Sequence, residues 1–164
     1  MNIQTEIILD KLRPLKEKGF PELYSDREYS EILSSFGVND EEYRQLKESY
    51  PEYIEFGKRL LKENKLLESL NHFEKALLIA TNEMEVLSGL SETYLRLWQQ
   101  HPEVIAYREN AVYYSERCLN INPDHEASMT RIAILNPKFE IAKDVNTAKI
   151  ISLVVGLLIA MLIA

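Results

Sequence analysis

Two stretches of this chain, 34 residues apart, repeat one pattern of bulk: Tyr53, Phe56, Gly57 and Leu60 in the first, Leu87, Leu90, Ser91 and Tyr94 in the second. A period of that length marks a stacked repeat, in which one unit cannot bury its apolar face alone. The spacing inside each stretch is helical, and 5 Gly and 6 Pro in 164 residues leave few breakers, so the chain reads as all-α.

Ahead of the repeats, Ile3, Ile7, Ile8, Leu12 and Leu15 fall near helical spacing, and Pro14 should kink or end that helix around Arg13. Gly19 and Pro21 predict a loop. Ser25 with Glu28 forms a capping-box pattern for a second helix, which Gly37 closes. Asn39 with Glu42 repeats the signal for a third helix through Tyr50, and Pro51 suits the first turn of the next one, where no N–H is needed. Residues 1–49 are therefore read as an N-terminal helical arm and residues 50–137 as the repeat domain.

The segment Tyr50 to Thr81 reads YPEYIEFGKRLLKENKLLESLNHFEKALLIAT. Its Tyr53, Phe56 with Gly57, Leu60, Ser69, Phe73 and Ala76 resemble the pattern of a tetratricopeptide (TPR) repeat. The resemblance implies TPR-like antiparallel helix pairs in a short right-handed solenoid. Gly57, Ser69 and Ala76 would be slim so that paired helices approach closely, with Asn64 and Lys65 at their turn. The second unit would begin with a helix from about Glu83 to Gln99, capped by Asn82 with Glu85. Its partner helix carries Ala111, Cys118 and Leu119, and Pro123 terminates it. That helix arrives eight residues late, which predicts two extra helical turns around the hairpin, with Pro102 opening the helix. Ser115 stands where an aromatic is usual. A last helix between Pro123 and Pro137 matches at Ala127, Thr130 and Ile134 but has Arg131 in place of the small residue, and reads as a cap on the open end.

In TPR proteins the first helices of the pairs line a concave groove that receives a peptide. The resemblance therefore nominates Ile54, Lys58, Leu61 and Lys62, then Ser88, Glu92, Leu95 and Arg96, then His125, Ser128 and Ile132. Ile54, Leu61 and Leu95 have a second reading, as surface covered by the N-terminal arm. TPR domains that clamp a chaperone's C-terminal carboxylate use Lys and Asn, then Asn, then Lys and Arg. Here those places hold Ile54 and Lys58, Gly89, and His125 and Met129, so that clamp is not expected.

After Lys149 the chain reads IISLVVGLLIAMLIA, without a charge. Residues 148–164 reach the lower limit for a transmembrane helix, about 17 residues at ~1.5 Å each. A core helix would need a polar face, and this segment has none. Lys138 and Lys143 in the linker 138–147, and then Lys149, place the N-terminal domain on the cytoplasmic side of a single-pass membrane protein. Ser152, Gly156, Ala160 and Ala164 form a small-residue stripe through which the helix could pack in lipid and the chain form a homo-oligomer. The layout is similar to that of the tail-anchored TPR adaptors of mitochondrial and peroxisomal fission, without the basic tail expected beyond such an anchor.

The net charge of −7 argues against nucleic acid, whose phosphates require a basic surface. The last 17 residues carry Lys149 as their one charge, so the remainder stands at −8 and favours basic or neutral partners. One cysteine, Cys118, allows no internal disulfide, and the N-terminal stretch lacks the uninterrupted apolar core of a secretory signal. His72, His101 and His125 have no second ligand at metal spacing. Cys118 takes a packing position, and there is no Gly-rich phosphate loop. The expectation is a membrane-anchored scaffold or adaptor that recruits a peptide or protein partner, without enzyme activity, cofactor or metal. The alternatives are the cytoplasmic regulatory domain of a longer membrane protein, or a TPR-type secretion chaperone whose residues 148–164 mimic an apolar client. Deleting residues 148–164 should move the protein from the membrane pellet to the soluble fraction, and persistence in the pellet would contradict the anchor.

Overall fold

Pro14 ends the first helix ahead of itself: α1 runs Ile3–Lys11 and α2 runs Arg13–Glu17, with Leu12 between them. The computed structural model of the protein describes residues 3–17 and 26–136. Six further helices follow: α3 (Asp26–Ser35), α4 (Asp40–Lys62), α5 (Leu66–Ile79), α6 (Met84–Gln100), α7 (Ile105–Ile121) and α8 (Glu126–Leu135). The described residues contain no strand and are all-α.

The helix ends show why the backbone stops where it does. Asn39 Oδ1 accepts from the Glu42 amide at 2.9 Å while Glu42 Oε2 accepts from the Asn39 amide at 3.0 Å, the expected capping box of α4. Gly37 (φ +75°) closes α3, with Val38 donating back to the Leu33 carbonyl at 3.1 Å. Asn64 (φ +58°) closes α4 in the same way, and Lys65 donates to the Leu60 carbonyl at 2.9 Å. The boundary expected at Pro51 does not exist, because α4 passes through it as one 23-residue helix. Proline removes the bond to the Lys47 carbonyl, but both residues lie on the exposed face, where solvent can take that carbonyl. The arm and repeat domain therefore share a helix across residues 49 and 50.

From α4 onward each helix packs on the next through a turn of three or four residues, and α6 also touches α4 and α8. Phe73 on α5 fills the centre of this stack. A Cβ added at Gly57 on α4 would lie 3.0 Å from its ring, and one added at Gly89 on α6 would lie 2.4 Å away. The slim residues Gly57, Ser69, Ala76, Ser91 and Ala111 are all buried. Ser69 Oγ donates to the Gly57 carbonyl at 2.9 Å and Ser91 Oγ to the Ala111 carbonyl at 3.1 Å, so their polarity is satisfied between paired helices.

The eight-residue delay in the second hairpin divides into about one extra turn on each helix, and α6 and α7 each have 17 residues against 14 in α5. Pro102 does not open α7, which begins at Ile105. It instead ends α6 by moving His101 out of helical backbone (φ −133°, ψ 69°). The Asn82 cap is not formed either. Glu83 is the N-cap of α6, and Asn82 Oδ1 accepts from Arg117 Nη2 at 3.0 Å.

In the arm, Ile8, Leu9, Leu12 and Leu15 are buried, but Ile3 and Ile7 of the same apolar pattern are 78% and 58% exposed. Glu6 docks α1 by accepting from Tyr53 Oη at 2.9 Å and Lys75 Nζ at 2.8 Å, and the Tyr29 hydroxyl donates to the Leu78 carbonyl. In α8 the expected packing residues Ala127, Thr130 and Ile134 are exposed, and the buried face is Ser128, Arg131 and Leu135. The helix is turned by one position so that Arg131 faces inward, and Arg108 Nη2 donates to the Leu135 carbonyl at 2.6 Å. Ser25, the linker 138–147 and the segment 148–164 with Ser152, Gly156, Ala160 and Ala164 lie outside the described residues. Among the described residues no helix is long and apolar enough to cross a membrane.

Gly89→Ala should lower unfolding free energy by about 1–2 kcal/mol, since crowding of Phe73 outweighs the ~1 kcal/mol that alanine adds to helix propensity. Gly57→Ala, with more room, should stay within about 1 kcal/mol of the parent. Urea unfolding of both variants checks the order, and equal effects would contradict it.

Candidate binding groove

The ring of Phe73 closes the space between α4 and α6 from below, and the side chains at its edges form the walls of a groove of about 480 Å³. α4 contributes Lys58 and Leu61, α6 contributes Met84, Glu85, Ser88, Gly89 and Glu92, and α8 with its N-cap contributes Arg131 and His125. Gly89 carries no side chain there, so the groove reaches down to the aromatic ring. A second hollow of about 330 Å³ continues from Glu92 and Arg131 along Leu95 and Arg96.

Charge holds the walls in place. Lys58 Nζ forms an ion pair with Glu85 that links α4 to α6, and a second with Glu55 at 3.4 Å within α4. Glu92 sits between two guanidinium groups: its Oε1 accepts from Arg96 Nε at 2.8 Å and its Oε2 from Arg131 Nε at 3.0 Å. Arg131 also donates to Ser88 Oγ at 3.1 Å, and Arg96 Nη1 to the Leu61 carbonyl at 3.3 Å. Burial by itself raises the Glu92 carboxyl, but the hydrogen bonds from Arg131 and Arg96 outweigh it and hold the group below its ordinary value. Removing one member would leave a charge without its partner in a half-closed site.

Of the residues nominated from the sequence, Lys58, Leu61, Ser88, Glu92 and His125 meet at this groove, and Leu95 and Arg96 line its continuation. Ile54 and Ser128 line neither hollow, and both are buried. The face of α4 that carries Ile54 turns to α6, as the Lys58–Glu85 pair shows, and Ser128 turns inward with the rotation of α8. Lys62 and Ile132 line neither hollow. Phe73, Met84, Glu85, Gly89 and Arg131 were missed. Glu85 was legible, since it precedes Ser88 and Glu92 by three and seven positions on one helical face. In the sequence Arg131 stands out only as a mismatch in the repeat.

No group of three or more His, Cys, Asp or Glu gathers at metal distance among the described residues. His125 Nδ1 lies 2.8 Å from Ser128 Oγ, but that hydroxyl is fully buried and belongs to the packing of α8. Cys118 is fully buried, and burial pushes its thiol up. His72 stacks on Phe56 at 5.4 Å, and burial, followed by the Lys75 charge, lowers its pKa. The groove thus offers an apolar floor with a polar, charged rim. Comparison with protein-family models, with curated proteins and with solved structures gives no match for this chain.

Glu92→Gln should cost about 1–3 kcal/mol near neutral pH, because Arg131 loses a charged acceptor. A depressed carboxyl contributes stability that is complete above its unfolded value of about 4.3 and is lost as pH falls through the lower native value. Urea midpoints of parent and variant should therefore converge in acid, below about pH 4. A gap that stays constant would contradict the assigned role.

Proposed function

We propose that this protein is a membrane-anchored adaptor of the TPR type, in which residues 148–164 fix the location and the groove between α4, α6 and α8 recruits a peptide segment of a partner. The observation that carries the reading is the convergence of Lys58, Leu61, Ser88, Glu92 and His125, chosen from the repeat pattern, on one groove. Burial of the slim residues at 57, 69, 76, 91 and 111 supports the TPR comparison, because these are the positions at which such helix pairs must come close. The helices joined by short turns support a solenoid of two pairs ended by a capping helix. Tethering to a membrane raises the effective concentration of a partner on the same surface, so a groove of modest affinity suffices. The net charge of −7 disfavours nucleic acid as that partner.

A photo-crosslinking residue placed at Ser88 of the full chain, in its native membrane, tests the reading. It should capture a discrete protein, whereas the same residue at the exposed Glu116 on α7 should not. Changing Leu61 to Glu should abolish the adduct at Ser88 while leaving the protein folded. Equal capture at both places, or capture indifferent to Leu61, would refute a groove-centred adaptor.

A further inference from the structure

The two carboxylates in the groove are already committed. Glu92 uses one oxygen on Arg96 and the other on Arg131, and Glu85 is paired with Lys58. The cations are not committed to the same degree. Arg131 donates through Nε to Glu92 and through one Nη to Ser88, and among the described residues nothing takes its other Nη nitrogen. Arg96 donates through Nε and Nη1, and its Nη2 likewise has no partner among the described residues. Among the lining residues Lys58, Arg96 and Arg131 stand against Glu85 and Glu92, and Glu55, just outside the lining, also pairs with Lys58, so the groove and its continuation are close to neutral. This is a balanced place, with open guanidinium N–H groups, on a chain whose net charge is −7. An incoming lysine would have to compete with two guanidinium groups for Glu92. An incoming carboxylate meets donors that have no partner to give up.

We infer that the groove selects an acidic peptide, one that seats an apolar side chain against Leu61, Phe73 and Met84 and places a neighbouring side-chain carboxylate on the open N–H edge of Arg131. The inference rests on the groove being the partner site proposed above. Arg131 is the residue that sets the selectivity, and Glu92 and Ser88 are the groups that orient it. The position matters because α8 is rotated so that an arginine, in place of an exposed threonine or isoleucine, enters the groove. A guanidinium held at two of its nitrogens loses little further freedom when a carboxylate arrives, so the contact discriminates by charge and by geometry.

The test uses the full chain in nanodiscs of zwitterionic phosphatidylcholine and three end-blocked octapeptides that alternate Leu with Glu, Gln or Lys. The methyl resonance of Met84, which lines the groove, reports occupancy, and that of Met129 on α8 serves as a control for folding. At low salt the Leu/Glu peptide should bind about tenfold tighter than the Leu/Lys peptide, with Leu/Gln between them. Arg131→Gln should reduce that ratio to within about threefold while the Met129 resonance keeps its place. If Arg131→Gln disturbs α8, Lys58→Gln, a change at a surface residue, should still lower the ratio. Shifts at Met84 with equal or reversed preference would overturn this inference and leave the groove as a peptide site. No shift at Met84 with any of the three would overturn both.

Discussion

The contact of the Phe73 ring with two helix backbones sets the geometry of the molecule. Gly57 and Gly89 are the places where α4 and α6 lie against that ring, and at Gly89 there is no room for even one methyl group. The spacing of α4 and α6 is therefore fixed by the ring beneath them. The contacts that cross from one helix to the other, Lys58 to Glu85 and Arg96 to the Leu61 carbonyl, exist at that spacing. The groove is what remains above the ring when both flanking residues lack side chains. Packing and binding surface are in this sense one feature.

The second pair solves the same problem in the opposite sense. The offset of 42 positions that relates Phe73 to Ser115 also relates Gly89 to Arg131. A large residue on the second helix against glycine on the next helix becomes a small residue against arginine. Ser115 is fully buried and bonded to Ser91, and Arg131 extends into the groove toward Glu92 and Ser88. The end helix thus supplies a charged wall where a further repeat would present glycine backbone. Its own end is held by Arg108 on the Leu135 carbonyl. The two arginine contacts together fasten α8 to both helices of the pair before it.

Much of this was legible in the sequence because it depends on local chemistry. The Asn39–Glu42 box, the closing residues Gly37 and Asn64, the break near Pro14 and the slim positions all act within a turn or two of themselves. What was misread depends on tertiary competition. Pro51 marks a helix start only if the broken bond cannot be satisfied, and on an exposed face it can. Asn82 has the chemistry of a cap, but Arg117, 35 positions away, takes its oxygen. In α8 the spacing permitted two registers, and the choice fell to the one that pairs Arg131 with Glu92. Half of the groove was legible because the repeat resemblance nominates Ser88 and Glu92, four positions apart on one helical face. The floor was missed because Phe73 reaches it from another helix and Gly89 contributes by having no side chain.

Phe73 and Gly89 are coupled by direct contact, and a double-mutant cycle on the full chain measures this coupling. The four proteins are the parent, Gly89→Ala, Phe73→Leu and the double variant, compared by equilibrium urea unfolding. Direct crowding predicts that the smaller leucine offsets the added methyl, with a coupling of about 1 kcal/mol or more. Additive effects within about 0.3 kcal/mol would contradict it, and with it the origin assigned to the groove.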